Sequence, residues 1–168
     1  MLETIITIII VYILLVFILA RFFIPHLSFR KKPIPDKIPD SMEKVIRTLK
    51  IESKNKEDFL NKAYNYLGGK YRSERFNTFF KFNYLFKSLD EAWEKKGYMP
   101  CTQSNNLLRI FLIKSGFFKE REIKIKNVFA NFILHQYLKI NLNDRWINVD
   151  VGEKQRGLKI GEHLKYFG

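Results

Sequence analysis

A chain of 168 residues holds at most one ordinary domain, and 30 Lys and Arg against 17 Asp and Glu leave it with a net charge of +13. Its lone cysteine, Cys101, excludes an internal disulfide and fits a reducing compartment. So basic a chain suits an anionic partner, either nucleic acid or anionic lipid.

The amino-terminal segment decides between those partners. From Thr4 to Ala20 there is no charged side chain, and the run is almost wholly Ile, Leu, Val and Phe. Seventeen residues of helix span about 26 Å, and Phe22, Phe23 and Ile24 lengthen it if Arg21 snorkels to the headgroups. Residues 1–24 are therefore predicted to form a single transmembrane helix. A cleaved signal peptide fits less well, because the leading charge is Glu3 and no small-x-small cleavage site follows. Basic residues flank only the far side (Arg21, Arg30, Lys31, Lys32), which predicts residues 25–168 in the cytoplasm. Membrane lipid is then the expected anionic partner, each nearby cation contributing on the order of 1 kcal/mol, and nucleic acid is not expected.

Residues 25–40 read as a basic, Pro-rich linker, with "FRKKPIPDKIPD" at 29–40. Three prolines block helix and favour extended backbone, which should hold the domain a short distance off the membrane. Arg30, Lys31, Lys32 and Lys37 are placed to meet the headgroups. The domain, residues 41–168, opens with an Asp40/Glu43 N-cap and N3 pair and a helix to about Leu49. A second helix over about Lys56 to Leu67 buries Phe59, Leu60, Ala63, Tyr64 and Leu67 and stops at Gly68-Gly69.

In "YRSERFNTFFKFNYLFK", residues 71–87, aromatics alternate with basic residues as in base-stacking surfaces, but Phe76, Phe79, Phe80, Asn83 and Phe86 fall at helical spacing. Core packing is the expected use. Ser88 and Glu91 predict a capping box for a short helix carrying Trp93 and ended by Gly97. Pro100 then puts Cys101 at the start of a helix with Leu107, Leu108, Phe111 and Leu112 on one face and Gly116 as its terminal cap. "EIKIKNV" alternates as a strand. Residues 132–142 and 145–151 form a hairpin, and the tail, 152–168, carries no clear pattern.

That hairpin, "HQYLKINLNDRWINVD", begins with one of only three histidines and ends with an aspartate. A two-residue turn at Asn143-Asp144 pairs 142 with 145, and hence 137 with 150. Alternation puts His135, Tyr137 and Lys139 on one face, with Leu134, Leu138, Ile140 and Leu142 on the other. His135 and Asp150 become diagonal neighbours on one face, about 7–8 Å apart by backbone. A carboxylate in that place can orient an imidazole. Cys101, at a helix amino-terminus where the dipole favours thiolate, supplies a possible nucleophile, with its own backbone N–H as a possible oxyanion donor. Each residue also has a plainer role: a buried cysteine, a structural histidine, an aspartate ending a strand. A metal site lacks paired ligand spacing, and no cofactor is expected.

Cysteine at the head of an apolar helix, followed by this hairpin, resembles the core of transglutaminase-like proteins, which are papain-related. The match covers roughly residues 56–152: histidine, a polar residue, an aromatic, alternating apolar residues, a tight loop, Trp146 and an apolar strand ending in Asp150. The resemblance implies an α+β domain with a cysteine-bearing helix packed on an antiparallel sheet. It implies Cys101 as nucleophile, His135 as general base and Asp150 as its orienter. Trp93, Tyr98 and Gln103 are candidates for oxyanion or substrate contacts. The expected activity is that of a membrane-anchored thiol enzyme on amide bonds, by hydrolysis or acyl transfer, with a protein or peptide as substrate. A transglutaminase-like binding module without turnover is the alternative, and arylamine-acetyltransferase-like chemistry uses the same triad.

Overall fold

The computed structural model describes residues 2–23, 31–74, 77, 87–130 and 133–164, with the backbone alone described at 17–23, 129–130 and 133–134. The first helix, α1 (Leu2–Phe23), is an unbroken 22 residues. Its described side chains, 2–16, cover about 22 Å of helix, short of a bilayer core of about 30 Å. Among the described residues no helix is long and apolar enough to cross a membrane.

Residues 31–39 are extended, as three prolines dictate, and they lie against the domain along their length. Ile34 and Ile38 pack against the core. Buried Arg109 donates through Nη1 to the Lys32 carbonyl at 3.1 Å, and Lys114 Nζ donates to the Asp36 carbonyl at 2.8 Å. The segment is a strap laid on the domain. Apolar side chains between the prolines gain more from burial than a free spacer would gain in entropy.

The domain is α+β. Helices α2 (Asp40–Glu52) and α3 (Lys56–Lys70) lead to a two-residue strand β1 (Tyr71–Arg72). Helix α4 (Leu89–Glu94) follows, then β2 (Gly97–Tyr98), which pairs in parallel with β1. Helix α5 (Cys101–Lys114) precedes a 3-10 turn, Glu120–Glu122, and the antiparallel sheet β3 (Ile123–Ala130), β4 (Ile133–Leu142) and β5 (Arg145–Val149), in that order. A second 3-10 turn, Val151–Arg156, closes against α3 and α5. Leu60, Leu107, Leu108, Phe111, Leu138, Ile140 and Val149 share one core between helices and sheet.

Local sequence explains most boundaries. The Ser88/Glu91 capping box forms in full, and Gly116, at φ +80°, takes the left-handed position after α5. Two expectations fail. Asp40 and Glu43 make no capping pair: Pro39 precedes the helix without a side-chain cap, and Glu43 binds Arg47 at 2.7 Å. Helix α3 does not stop at Gly68-Gly69 but runs to Lys70. Gly68 serves packing instead, since a Cβ there would lie 2.8 Å from Lys154 Cβ in the second 3-10 turn. The reading of Phe76, Phe79, Phe80, Asn83 and Phe86 as a helix face lies outside the described residues.

The hairpin takes the expected register. Asn143 (φ 51°) and Asp144 (φ 63°) form a two-residue turn that needs positive φ at both positions, and Leu142 pairs with Arg145, Lys139 with Asn148 and Leu138 with Val149. Leu138 and Ile140 are wholly buried in the core. Tyr137, on the other face, is covered by the returning tail, its ring stacked on His163 with centroids 4.3 Å apart.

Candidate active site

Cys101 is the first residue of α5, after Pro100, whose carbonyl accepts from the backbone of Gln103 and Ser104 at 3.0 Å each. Helix geometry leaves the N–H groups of Cys101 and Thr102 without intrahelical acceptors, so they face the sulfur's surroundings with the positive end of the helix dipole. Cys101 is partly exposed, as a nucleophile must be.

His135 and Asp150 meet as the hairpin geometry requires. His135 Nε2 lies 2.7 Å from Asp150 Oδ2, with the ring 5% exposed and the carboxylate wholly buried. The other ring nitrogen, Nδ1, is not engaged by Asp150, and Cys101 lies close enough to act on the ring's proton. Burial opposes a charged imidazole, yet the thiolate's charge and the hydrogen bonds to Asp150 and Cys101 outweigh it. The ring therefore holds its proton well above the ordinary histidine value. Cys101 at the start of α5, His135 on β4 and Asp150 just after β5 are thus brought together, with the imidazole bonded to the carboxylate.

Five residues support the site without having been read as part of it from sequence. Asn105, one turn after Cys101 on the same side of α5, donates to the Gln136 carbonyl at 2.6 Å and so ties the helix to the strand beside His135. Gly152 packs on the helix entrance: a Cβ there would lie 3.3 Å from Ser104 Oγ and 3.7 Å from Cys101 Cα. The tail then folds back. Gly161 N–H donates to the Asn148 carbonyl at 2.8 Å, and Leu164 N–H donates to Asp150 Oδ2 at 3.2 Å. Tyr64 closes this side, its phenol donating to the Leu158 carbonyl at 2.6 Å. Burial, then the charges of Asp150 and Glu162, push that phenol up, so it stays a neutral donor. Only Gly152 could have drawn notice in the sequence, as a glycine two residues past the aspartate.

The other expected contacts are elsewhere. The Trp93 indole N–H donates to Ser41 Oγ at 2.8 Å, and its ring packs against Phe111, ten residues and about 15 Å along α5 from Cys101. Trp93 is a core residue and supplies no oxyanion donor at the sulfur. Tyr98 is buried in β2, beside the Met99-Pro100 entry to α5. Gln103 sits about 200° around α5 from Cys101 and lines a cleft of about 280 Å³ with Lys32, Pro33, Ala92, Leu107 and Ile110. That cleft opens on the back of the helix, away from the thiol. Lys31 pairs with Glu120 at 2.8 Å, Lys32 and Lys37 are exposed, and Arg30 lies outside the described residues. No protein-family model, curated protein or solved structure matches the chain.

Proposed function

We propose that the chain is a membrane-anchored thiol enzyme that acts on amide bonds through a Cys101 thioester, in the manner of the transglutaminase-like proteins its sequence resembles. The observation that carries this reading is the buried Asp150–His135 contact at 2.7 Å, with Cys101 near enough to raise the ring's hold on its proton. A structural histidine does not require a buried carboxylate on one nitrogen and a partly exposed thiol beside the ring.

The chemistry follows from the donors. Asp150 accepts from Nε2–H, which fixes the tautomer with Nδ1 toward sulfur. His135 takes the thiol proton, and the thiolate attacks the carbonyl carbon of the amide. The oxyanion that forms is met by the N–H groups at the start of α5. As the C–N bond breaks, the imidazolium returns the proton to the leaving amine, and a thioester remains. His135 then deprotonates water, giving an acid, or a second amine, giving a new amide. A protein or peptide is the substrate class that offers such amides.

The anchor rests on the uncharged run from Thr4 to Ala20, about 26 Å as helix, lengthened by Phe22, Phe23 and Ile24 where Arg21 snorkels. The basic residues that follow it favour a cytoplasmic domain. Acylation tests the activity. Full-length protein in detergent should release nitrophenolate from a nitrophenyl ester in a stoichiometric burst and carry the acyl group on Cys101 by peptide mass spectrometry. His135→Ala should lose the burst. A folded wild type that never acylates at Cys101 would leave the binding module as the reading.

A further inference from the structure

We propose that the turn end of the β4–β5 hairpin docks on an anionic lipid surface, with Trp146 among the headgroups, so that the Cys101 site stands away from the bilayer. This rests on the reading of α1 as an anchor and adds the face that the domain presents to the membrane.

The strap sets the direction. Seven residues separate Phe23, the end of α1, from Lys31, so the two lie at most about 28 Å apart. Lys31 is bound to Glu120 at 2.8 Å, and Arg109 is bound to the Lys32 carbonyl and, through Nη2, to Glu120 at 3.4 Å. Residues 120–122 lead straight into β3, whose first residue, Ile123, pairs with Ile140, three residues before the turn at Asn143. The place where the chain comes in from α1 is therefore level with the hairpin turn.

The same end is built for a lipid surface. Residues 143–146 are all exposed, and Trp146, at 36% exposure, is a large aromatic of the kind that partitions to headgroups. Lys124 Nζ lies over its ring at 4.0 Å. Lys124 and Lys139 are direct cross-strand partners, a like-charge pair that is unfavourable until an anion meets it. Arg145 adds a third cation at the turn, and Asp144 is the one exposed carboxylate in the turn itself, so cations prevail there three to one. The two glutamates nearby do not offset these charges, since Glu120 is held by Lys31 and Arg109 and Glu122 by Lys56. An acidic polypeptide would meet the cations, but it accounts neither for the exposed indole nor for the tether.

The active site is at the other end. From Asn143 back to His135 is eight residues of strand, about 27 Å, and Cys101 opens α5 eight residues before the strap contact at Arg109, about 12 Å. A site raised in this way reaches amides on proteins that project from the membrane.

The full chain in vesicles tests this. Trp146 is one of two tryptophans, and Trp93 is buried, so the difference between wild type and Trp146→Phe isolates the Trp146 signal. In vesicles containing phosphatidylglycerol, headgroup-labelled quenching lipid should dim Trp146, and aqueous iodide should not. In phosphatidylcholine alone, or in the Lys124→Gln/Lys139→Gln/Arg145→Gln variant, iodide should quench it instead. If the protein resists alkaline extraction but Trp146 is reached by iodide equally in both lipids, the docking is overturned and the anchor stands. Extraction by alkaline carbonate would overturn the anchor and the docking with it. A Trp146 response to poly-glutamate and none to anionic lipid would make the partner an acidic protein and also overturn the proposal.

Discussion

At His135, burial to 5% exposure and two ring contacts have opposite effects on the proton, and the contacts win. That balance has a measurable sign. The folded pKa lies above the unfolded value of about 6.5, so the stabilisation from the charged ring is fully present below about pH 6.5. It is lost as pH rises through the folded value. Urea melts of wild type and His135→Gln in detergent should therefore differ most at about pH 6 and converge toward alkaline pH. A gap that widens with pH would contradict a raised imidazole pKa. Asp150→Asn should leave the fold in place and lower acylation steeply, up to about 10⁴-fold, because an amide holds the ring but does not balance the imidazolium. The His135–Asp150 contact was legible because the hairpin has a fixed period: once Asn143-Asp144 is read as a two-residue turn, the register brings Asp150 within reach of His135. Asn105 and Leu164 were not legible. One acts through a side-chain amide on a distant strand carbonyl and the other through a backbone N–H, and neither contact leaves a mark in residue type.

Among the elements, α5 matters most, since it presents Cys101 and is held to β4 by one buried amide. Asn105→Ala removes the donor to the Gln136 carbonyl and leaves that carbonyl buried without it, a cost of about 1–3 kcal/mol in stability. Because the lost tie is beside His135, acylation should fall more than stability accounts for; kinetics measured well below the melting temperature separate the two. Helix α3 gives the companion case. Gly68→Ala puts a methyl against Lys154, which leads the second 3-10 turn off α3, and the variant should melt earlier than Gly69→Ala, whose Cβ meets nothing within 4 Å. Equal melting temperatures would show that the turn yields freely. This pair also shows where reading by residue type stops. Gly68-Gly69 has the look of a helix stop, but both residues keep helical backbone, and at Gly68 it is the close approach of Lys154 that requires a missing Cβ rather than a left-handed φ. Ser88/Glu91 gave the right answer for the opposite reason: a capping box is made entirely within four residues, so no distant segment enters into it.

Over the whole molecule, a segment from each half of the chain is laid on the domain, the strap behind α5 and the tail over the site. The strap joins the amino-terminal helix to the back of α5, and the tail returns over Tyr137 to place a backbone donor on Asp150. Neither was legible. An extended Pro-rich segment looks the same in sequence whether it is free or laid on a core, and the tail makes its contacts mainly through backbone groups. The α+β order and the core helices were legible because their apolar spacing is local. The account's central claim is that Cys101 and His135 share a proton, and the most direct test is the pH profile of Cys101 alkylation. Folded wild type and folded His135→Ala are labelled with iodoacetamide across the same pH series. Folded His135→Ala should need a clearly higher pH, with the helix dipole, common to both, cancelling in the comparison. Identical profiles in two cooperatively folded proteins would show that the thiol and the imidazole are uncoupled, and would contradict the thiol-enzyme account.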